Sequence, residues 1–116
     1  MIVKSLLDVQ REKVSMDGAE KAFKQIPISK EDGTPNYSMR VFTLKSGGYT
    51  PYHQHDYEHV NYIISGNGEL VDETGNKKTL KEGDFALVMP NEKHQYRNTS
   101  DSEDFVMICG VPKSFE

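Results

Sequence analysis

Gly47-Gly48-Tyr49-Thr50-Pro51-Tyr52-His53-Gln54-His55-Asp56-Tyr57-Glu58-His59 sets three histidines within seven residues. The chain has 4 histidines, and the remaining one, His94, follows the turn Met89-Pro90-Asn91. Residues two apart on a strand share a face, so His53 and His55 are expected to project together. His59 follows the bend Asp56-Tyr57-Glu58 and starts the next apolar run, and His94 starts another. Strands that neighbour one another in a curled sheet would bring all four imidazoles to one point. No histidine is left for the surface, so the pattern points to a metal site. Glu58 replaces His59 as a ligand only if the register slips by one, because 58 and 59 face opposite ways on a regular strand.

Outward from this stretch the apolar period is two. Tyr37, Met39, Val41 and Thr43 alternate with Ser38, Arg40, Phe42 and Leu44, and both sets carry bulk, which predicts a strand covered on both faces. Val60, Tyr62 and Ile64 alternate with Asn61, Ile63 and Ser65. Phe85, Leu87 and Met89 alternate with Ala86 and Val88, and Phe105, Met107 and Cys109 with Val106 and Ile108. Turn signals recur at the spacing of an all-β sandwich or barrel: Asp32-Gly33, Gly47-Gly48, Gly66-Asn67-Gly68, Gly75-Asn76, Glu82-Gly83-Asp84 and Pro90-Asn91. Residues 69–72 and 77–80 read as a hairpin through Thr74-Gly75-Asn76. The first 20 residues read as short edge strands or loop. A strand follows over 23–29, with Pro27 suiting an edge.

The 116 residues fit one domain, residues 1–116, with one core. The net charge of -4 and the lack of a basic run give no electrostatic footprint for nucleic acid. The lone Cys109 cannot form an internal disulfide, and no apolar stretch suits a signal peptide or membrane span. The expectation is a cytoplasmic protein without a membrane partner. The hydrophobic fraction of 35% is low enough that burying a sheet edge in a dimer would help the fold.

Imidazole suits zinc, copper, iron and nickel and tolerates cobalt and manganese. Four neutral ligands would leave a divalent ion its full charge and draw in an anionic or chelating ligand. Protonated imidazole cannot ligate, so metal should be released as pH falls through the usual histidine range, about 6.5.

The spacings resemble the two motifs of the cupin superfamily. Gly47, His53, His55 and Gly66 fit the first without a gap, with His59 where the family carries glutamate. Gly83, His94 and Asn98 fit the second, with Met89 in place of its proline and Asn91 in place of its glycine. The motifs span residues 47–66 and 83–98. The six residues between His59 and Gly66 favour His59 over Glu58. More closely, the chain is similar to small single-domain cupins with an all-histidine site, such as the manganese-containing four-histidine cupins of thermophilic bacteria. The resemblance implies a double-stranded β-helix, or jelly-roll barrel, over residues 22–112. It also implies one divalent transition metal per chain (Mn, Fe, Ni, Zn or Co) held by His53, His55, His59 and His94, and a homodimer.

Around the site, parity from His94 puts Tyr96 on its face, as a cavity cap or as an aromatic core residue. Arg40 is the charged residue best placed to face inward, its alternative being a surface ion pair. The resemblance directs the face shared by Met107 and Cys109 toward the cavity. Tyr57, in the bend, belongs at the cavity mouth. No histidine is spare to serve as a general base, so no catalytic residue is identified. Two function classes follow. One is a metal-dependent enzyme acting on a small oxygenated substrate, by dioxygen or peroxide oxidation or by sugar or keto-acid isomerisation. The other is a non-catalytic module that binds metal or a small ligand.

Overall fold

β9, Phe105–Pro112, lies between β3, Tyr37–Tyr49, and β4, His59–Ser65, and is antiparallel to both. The computed structural model describes all of residues 1–116. The other strands are β1 Glu12–Lys13, β2 Glu20–Ile28, β5 Asn67–Asp72, β6 Lys77–Lys81, β7 Phe85–Val88 and β8 His94–Asn98. They form one antiparallel sheet in the order β6-β5-β8-β3-β9-β4-β7, with β2 on β3 and β1 on β2. Short 3-10 turns occupy Leu6–Asp8, Lys30–Asp32 and Lys113–Phe115. The protein is all-β, and no helix is long and apolar enough to cross a membrane.

The register of β9 organises the inner face. Cys109 stands between Arg40 on β3 and Asn61 on β4, and Met107 stands between Phe42 and Ile63. Phe105 pairs with Leu44 in the next inward row. Below the histidines these rows close on Ala22, Leu80 and Val88, which form the core with Leu44, Ile63, Phe105 and Met107. Each fully buried side chain of this size contributes about 1.5–3 kcal/mol. The core therefore anchors one end of the curl, and the other end remains a cavity.

Two glycines permit the close approach of β4, β5 and β9. Gly66 has a φ of 85°, and a Cβ there would lie 2.1 Å from the Asp104 carbonyl oxygen. A Cβ on Gly68 would lie 2.8 Å from the Phe105 ring. Asn98 ties β8 to both neighbouring segments: its Nδ2 donates to the Leu44 and Glu103 carbonyls, and its Oδ1 accepts from the Ser100 amide.

The hairpin expected over 69–80 is present, with Leu70 opposite Lys78. The strand expected over 23–29 begins three residues earlier, at Glu20, and Pro27 falls where its register with β3 shifts. That position asks no ladder hydrogen bond of the proline. The strand expected through His53 and His55 is corrected. His53 makes an isolated bridge to His94, and His55 lies in loop. Pro51 offers no N–H there, and the bend at Asp56-Tyr57 interrupts pairing.

Candidate metal centre

Two backbone hydrogen bonds join the two histidine segments. The His53 amide donates to the His94 carbonyl at 3.1 Å, and the His94 amide donates back at 2.8 Å. His94 is the first residue of β8 and His59 the first of β4, while His55 sits on the intervening loop. The rings meet in the curl: His53 and His94 are 5.1 Å apart between centroids, and His55 and His59 are 4.4 Å apart. One nitrogen from each of the four lies within 4.8 Å of the others. Glu58 is exposed and His59 buried, which is the parity expected of β4.

The hydrogen bonds decide which nitrogens are free. Nδ1 of His55 donates to the Tyr57 carbonyl and Nδ1 of His94 to the Glu92 carbonyl, each at 2.7 Å. A carbonyl only accepts, so the proton sits on Nδ1 and the Nε2 lone pair is free. Nδ1 of His59 lies 2.8 Å from Cys109 Sγ. Nε2 of His55 and Nε2 of His59 are buried without any partner. Leaving a buried polar atom unsatisfied costs about 1–3 kcal/mol, and such atoms are rare in folded proteins. A neutral, all-imidazole set with orphaned ring nitrogens fits a divalent transition ion.

Electrostatics keep these rings neutral. Burial pushes His59 down to about 2, helped by its neighbour His55 and by the Arg40 charge. Burial also pushes His53 down to about 4, with His94 and His55 adding to the effect. His55 and His94 are lowered as well, chiefly by desolvation, although their carbonyl partners oppose the shift.

All four flanking residues named from sequence line the same cavity, whose volume is about 350 Å³. Arg40 faces inward and is only 6% exposed. One of its terminal nitrogens donates to Cys109 Sγ at 3.1 Å, and its Nε has no partner. None of the molecule's ion pairs involves it. Cys109 is fully buried, and that burial raises its thiol pKa against the opposing pull of Arg40. Tyr96 belongs to both core and cavity. Its hydroxyl donates to Asn61 Oδ1, and burial raises its pKa, so it stays a neutral phenol. Met107 joins core to cavity in the same way.

Three contributors were not singled out from sequence. Asn61 shares the inward parity of His59 and was readable from it. Phe115 stacks on Tyr57 at 4.1 Å, and Tyr57, which lines the cavity, stacks on His55 at 3.9 Å. Nothing in the local pattern signals that Phe115 returns there. Residues 12–16 also line the cavity, in a segment too short and polar to declare itself.

Residues 40–111 match the model of the family described as Cupin domain. A protein of Aquifex aeolicus (strain VF5), named only as uncharacterized, is 39% identical over 83 residues. That match takes in 71% of this chain and 66% of the relative, just under two thirds of its length. Among solved structures, the polyketide cyclase RemF from Streptomyces resistomycificus superposes with a TM-score of 0.91 at 24% identity, covering 97% of this chain and 80% of that one. A predicted oxalate decarboxylase from Thermotoga maritima gives 0.82 at 23%, covering 96% and 98%. A sugar phosphate isomerase from Silicibacter pomeroyi gives 0.76 at 16%, covering 92% and 73%. At these identities the likeness shows the fold, which is the jelly roll expected from the motifs.

The depressed histidines set the acid response of the metal-free protein. An unfolded chain takes up protons near pH 6.5 that the folded one refuses until about 4 at His53 and about 2 at His59. The stability associated with these neutral rings is therefore complete above about pH 6.5 and is lost as pH falls below it. Thermal melts from pH 7 to 4 should show a falling Tm. For His59 the limiting slope is about 1.4 kcal/mol per pH unit. In a His59→Asn variant the slope should be visibly smaller, and an identical slope would refute the assignment. Metal release, expected from sequence near 6.5, should move to lower pH for the same reason.

Proposed function

The chain belongs to the cupin family, and from that premise we propose that it is a mononuclear metalloenzyme acting on a small oxygenated substrate. His53, His55, His59 and His94 would hold one divalent first-row ion, with manganese, iron, cobalt, nickel or zinc all compatible with imidazole. The observation that carries the reading is the pair of orphaned Nε2 atoms on His55 and His59, within a set of four whose donor atoms lie within 4.8 Å. When bound, the ion supplies Lewis acidity or a redox couple to the substrate's oxygen.

The protein's own groups would do the rest. The Tyr57 and Glu92 carbonyls and Cys109 Sγ fix three imidazoles in orientation. The Tyr57–Phe115 stack screens His55 from water. Tyr96 and Asn61 offer a neutral hydrogen-bonded pair at the cavity floor, with no basic group among them. The cavity, open and lined by both polar and apolar side chains, favours turnover over closed structural binding. The relatives in this fold named as a cyclase, a decarboxylase and an isomerase support an enzymatic use without choosing the reaction.

A homodimer and a cytoplasmic location complete the proposal. Val60 pairs with Leu87 and Tyr62 with Phe85 on the outer face, and Phe85 is 78% exposed. The opposite edge strand, β6, carries Lys77, Lys78 and Lys81, which discourage pairing there. Light scattering should give twice the chain mass for the native protein and a monomer for Phe85→Glu. A monomeric native protein would remove the dimer from the account.

Elemental analysis should find about one transition ion per chain, the stoichiometry of a mononuclear centre. His53→Ala and His94→Ala should each lose most of it. Unchanged metal content in both variants would contradict the reading.

A further inference from the structure

We propose that the cavity takes a small organic carboxylate that carries a second oxygen function, and that Arg40 is the residue that selects it. The inference deepens the metal-centre reading and rests on it only for the ligand's second contact.

Arg40 is the point of departure. Its guanidinium is buried, lines the cavity and always carries its charge. A guanidinium has five N–H donors. Its contacts are Cys109 Sγ at 3.1 Å, the Phe115 carbonyl at 3.5 Å and the face of Phe42 at 5.0 Å. Sulfur is a weak acceptor and the carbonyl lies at the limit of hydrogen bonding. Nε is buried with no partner at all. A buried charge is ordinarily paired, and here the paired anion is missing from the protein.

No carboxylate lies within ion-pair distance of Arg40, and the nearby Glu116 side chain is taken by Ser38 Oγ and the Lys30 amide. Glu12 is the one carboxylate on the cavity lining, and it stands opposite Lys24 in the β1–β2 register. Lys13 and Lys24 line the cavity as well, so cations outnumber anions there before any metal is added. The four histidines contribute no negative charge. The site is built for an anion that arrives from outside.

Geometry limits its kind. Arg40 reaches His59 through two hydrogen bonds in series, guanidinium to Cys109 Sγ and Sγ to Nδ1. A group on Arg40 and a group at the histidine cluster therefore share one cavity, and a ligand bridging them needs a second oxygen function besides its carboxylate. The unused edge of a guanidinium matches the flat oxygen pair of a carboxylate. Lys13 and Lys24 also line the cavity, so inorganic phosphate is the competing anion to compare. Phe42 and Met107 offer apolar contact for the carbon skeleton, within about 350 Å³.

Isothermal titration calorimetry with pyruvate tests the proposal, on cobalt-loaded and on chelator-stripped protein. Pyruvamide, of the same shape but uncharged, and inorganic phosphate serve as comparisons. Pyruvate should bind both forms, and more tightly with metal. Arg40→Gln should weaken it by about tenfold or more in each form, as expected for losing a charge-assisted hydrogen bond. Arg40→Lys should lie between, and metal content should be unchanged in both variants. Native protein should bind pyruvamide and phosphate more weakly than pyruvate. The proposal is overturned if native protein ignores pyruvate, if folded Arg40→Gln binds it normally, or if pyruvamide or phosphate binds as well. Should Arg40→Gln fail to fold, the pyruvate–pyruvamide comparison on native protein still decides. Failure of the metal reading shows separately, as absent cobalt uptake, while the stripped protein continues to report on Arg40.

Discussion

The double pairing of β9 is the constraint on which the site depends. Because β9 is antiparallel to β3 on one side and β4 on the other, Arg40, Cys109 and Asn61 form one inward row. His59 lies two residues before Asn61 and shares its face. A slip of one residue on either side would turn these groups outward and bring Met39, Val60 and Gly110 in. The core rows of Phe42, Met107, Ile63, Leu44 and Phe105 forbid that slip, since it would exchange a packed face for one built of other side chains. The hydrophobic register thus positions polar groups that contribute nothing to burial themselves.

The inner surface divides into two regimes. Below, apolar side chains fill the curl. Above, the chain gathers two buried and two half-buried neutral imidazoles, a guanidinium, a thiol and a phenol. Two imidazole nitrogens and the guanidinium Nε are left over. Those omissions cost stability in the isolated chain. Natural proteins tolerate such local conflicts mainly at functional sites. Four histidines that could hold a metal ion and an arginine without an ion-pair partner thus share one interior.

An all-β barrel and the histidine cluster were legible in periods and turns, and the cupin fold in the resemblance of the two motifs. Alternation over 37–44, 60–65 and 105–109 set strand faces, and the glycine turns set strand ends. The inward parity of Arg40 and Tyr96 followed from neighbours in the same strands, although sequence left both roles open. His53 and His55 converge for a different reason from the one parity offered. Pro51 and the Asp56-Tyr57 bend break the ladder, and the bridge to His94 holds the segment instead. The stacking of Phe115 on Tyr57 and the lining by residues 12–16 are long-range packing, which no local period records. The unpaired state of Arg40 was also invisible, because sequence shows a charge but not the absence of its partner.

Zinc K-edge X-ray absorption of zinc-loaded protein tests the central claim most directly, since it reads the atoms that touch the ion. The account predicts a shell of nitrogen and oxygen only, with imidazole outer-shell scattering and nitrogens at about 2.0–2.1 Å. A sulfur neighbour at about 2.3 Å would make Cys109 a ligand in place of a partner for His59. That result, or a first shell without ordered imidazole, would contradict the four-histidine centre.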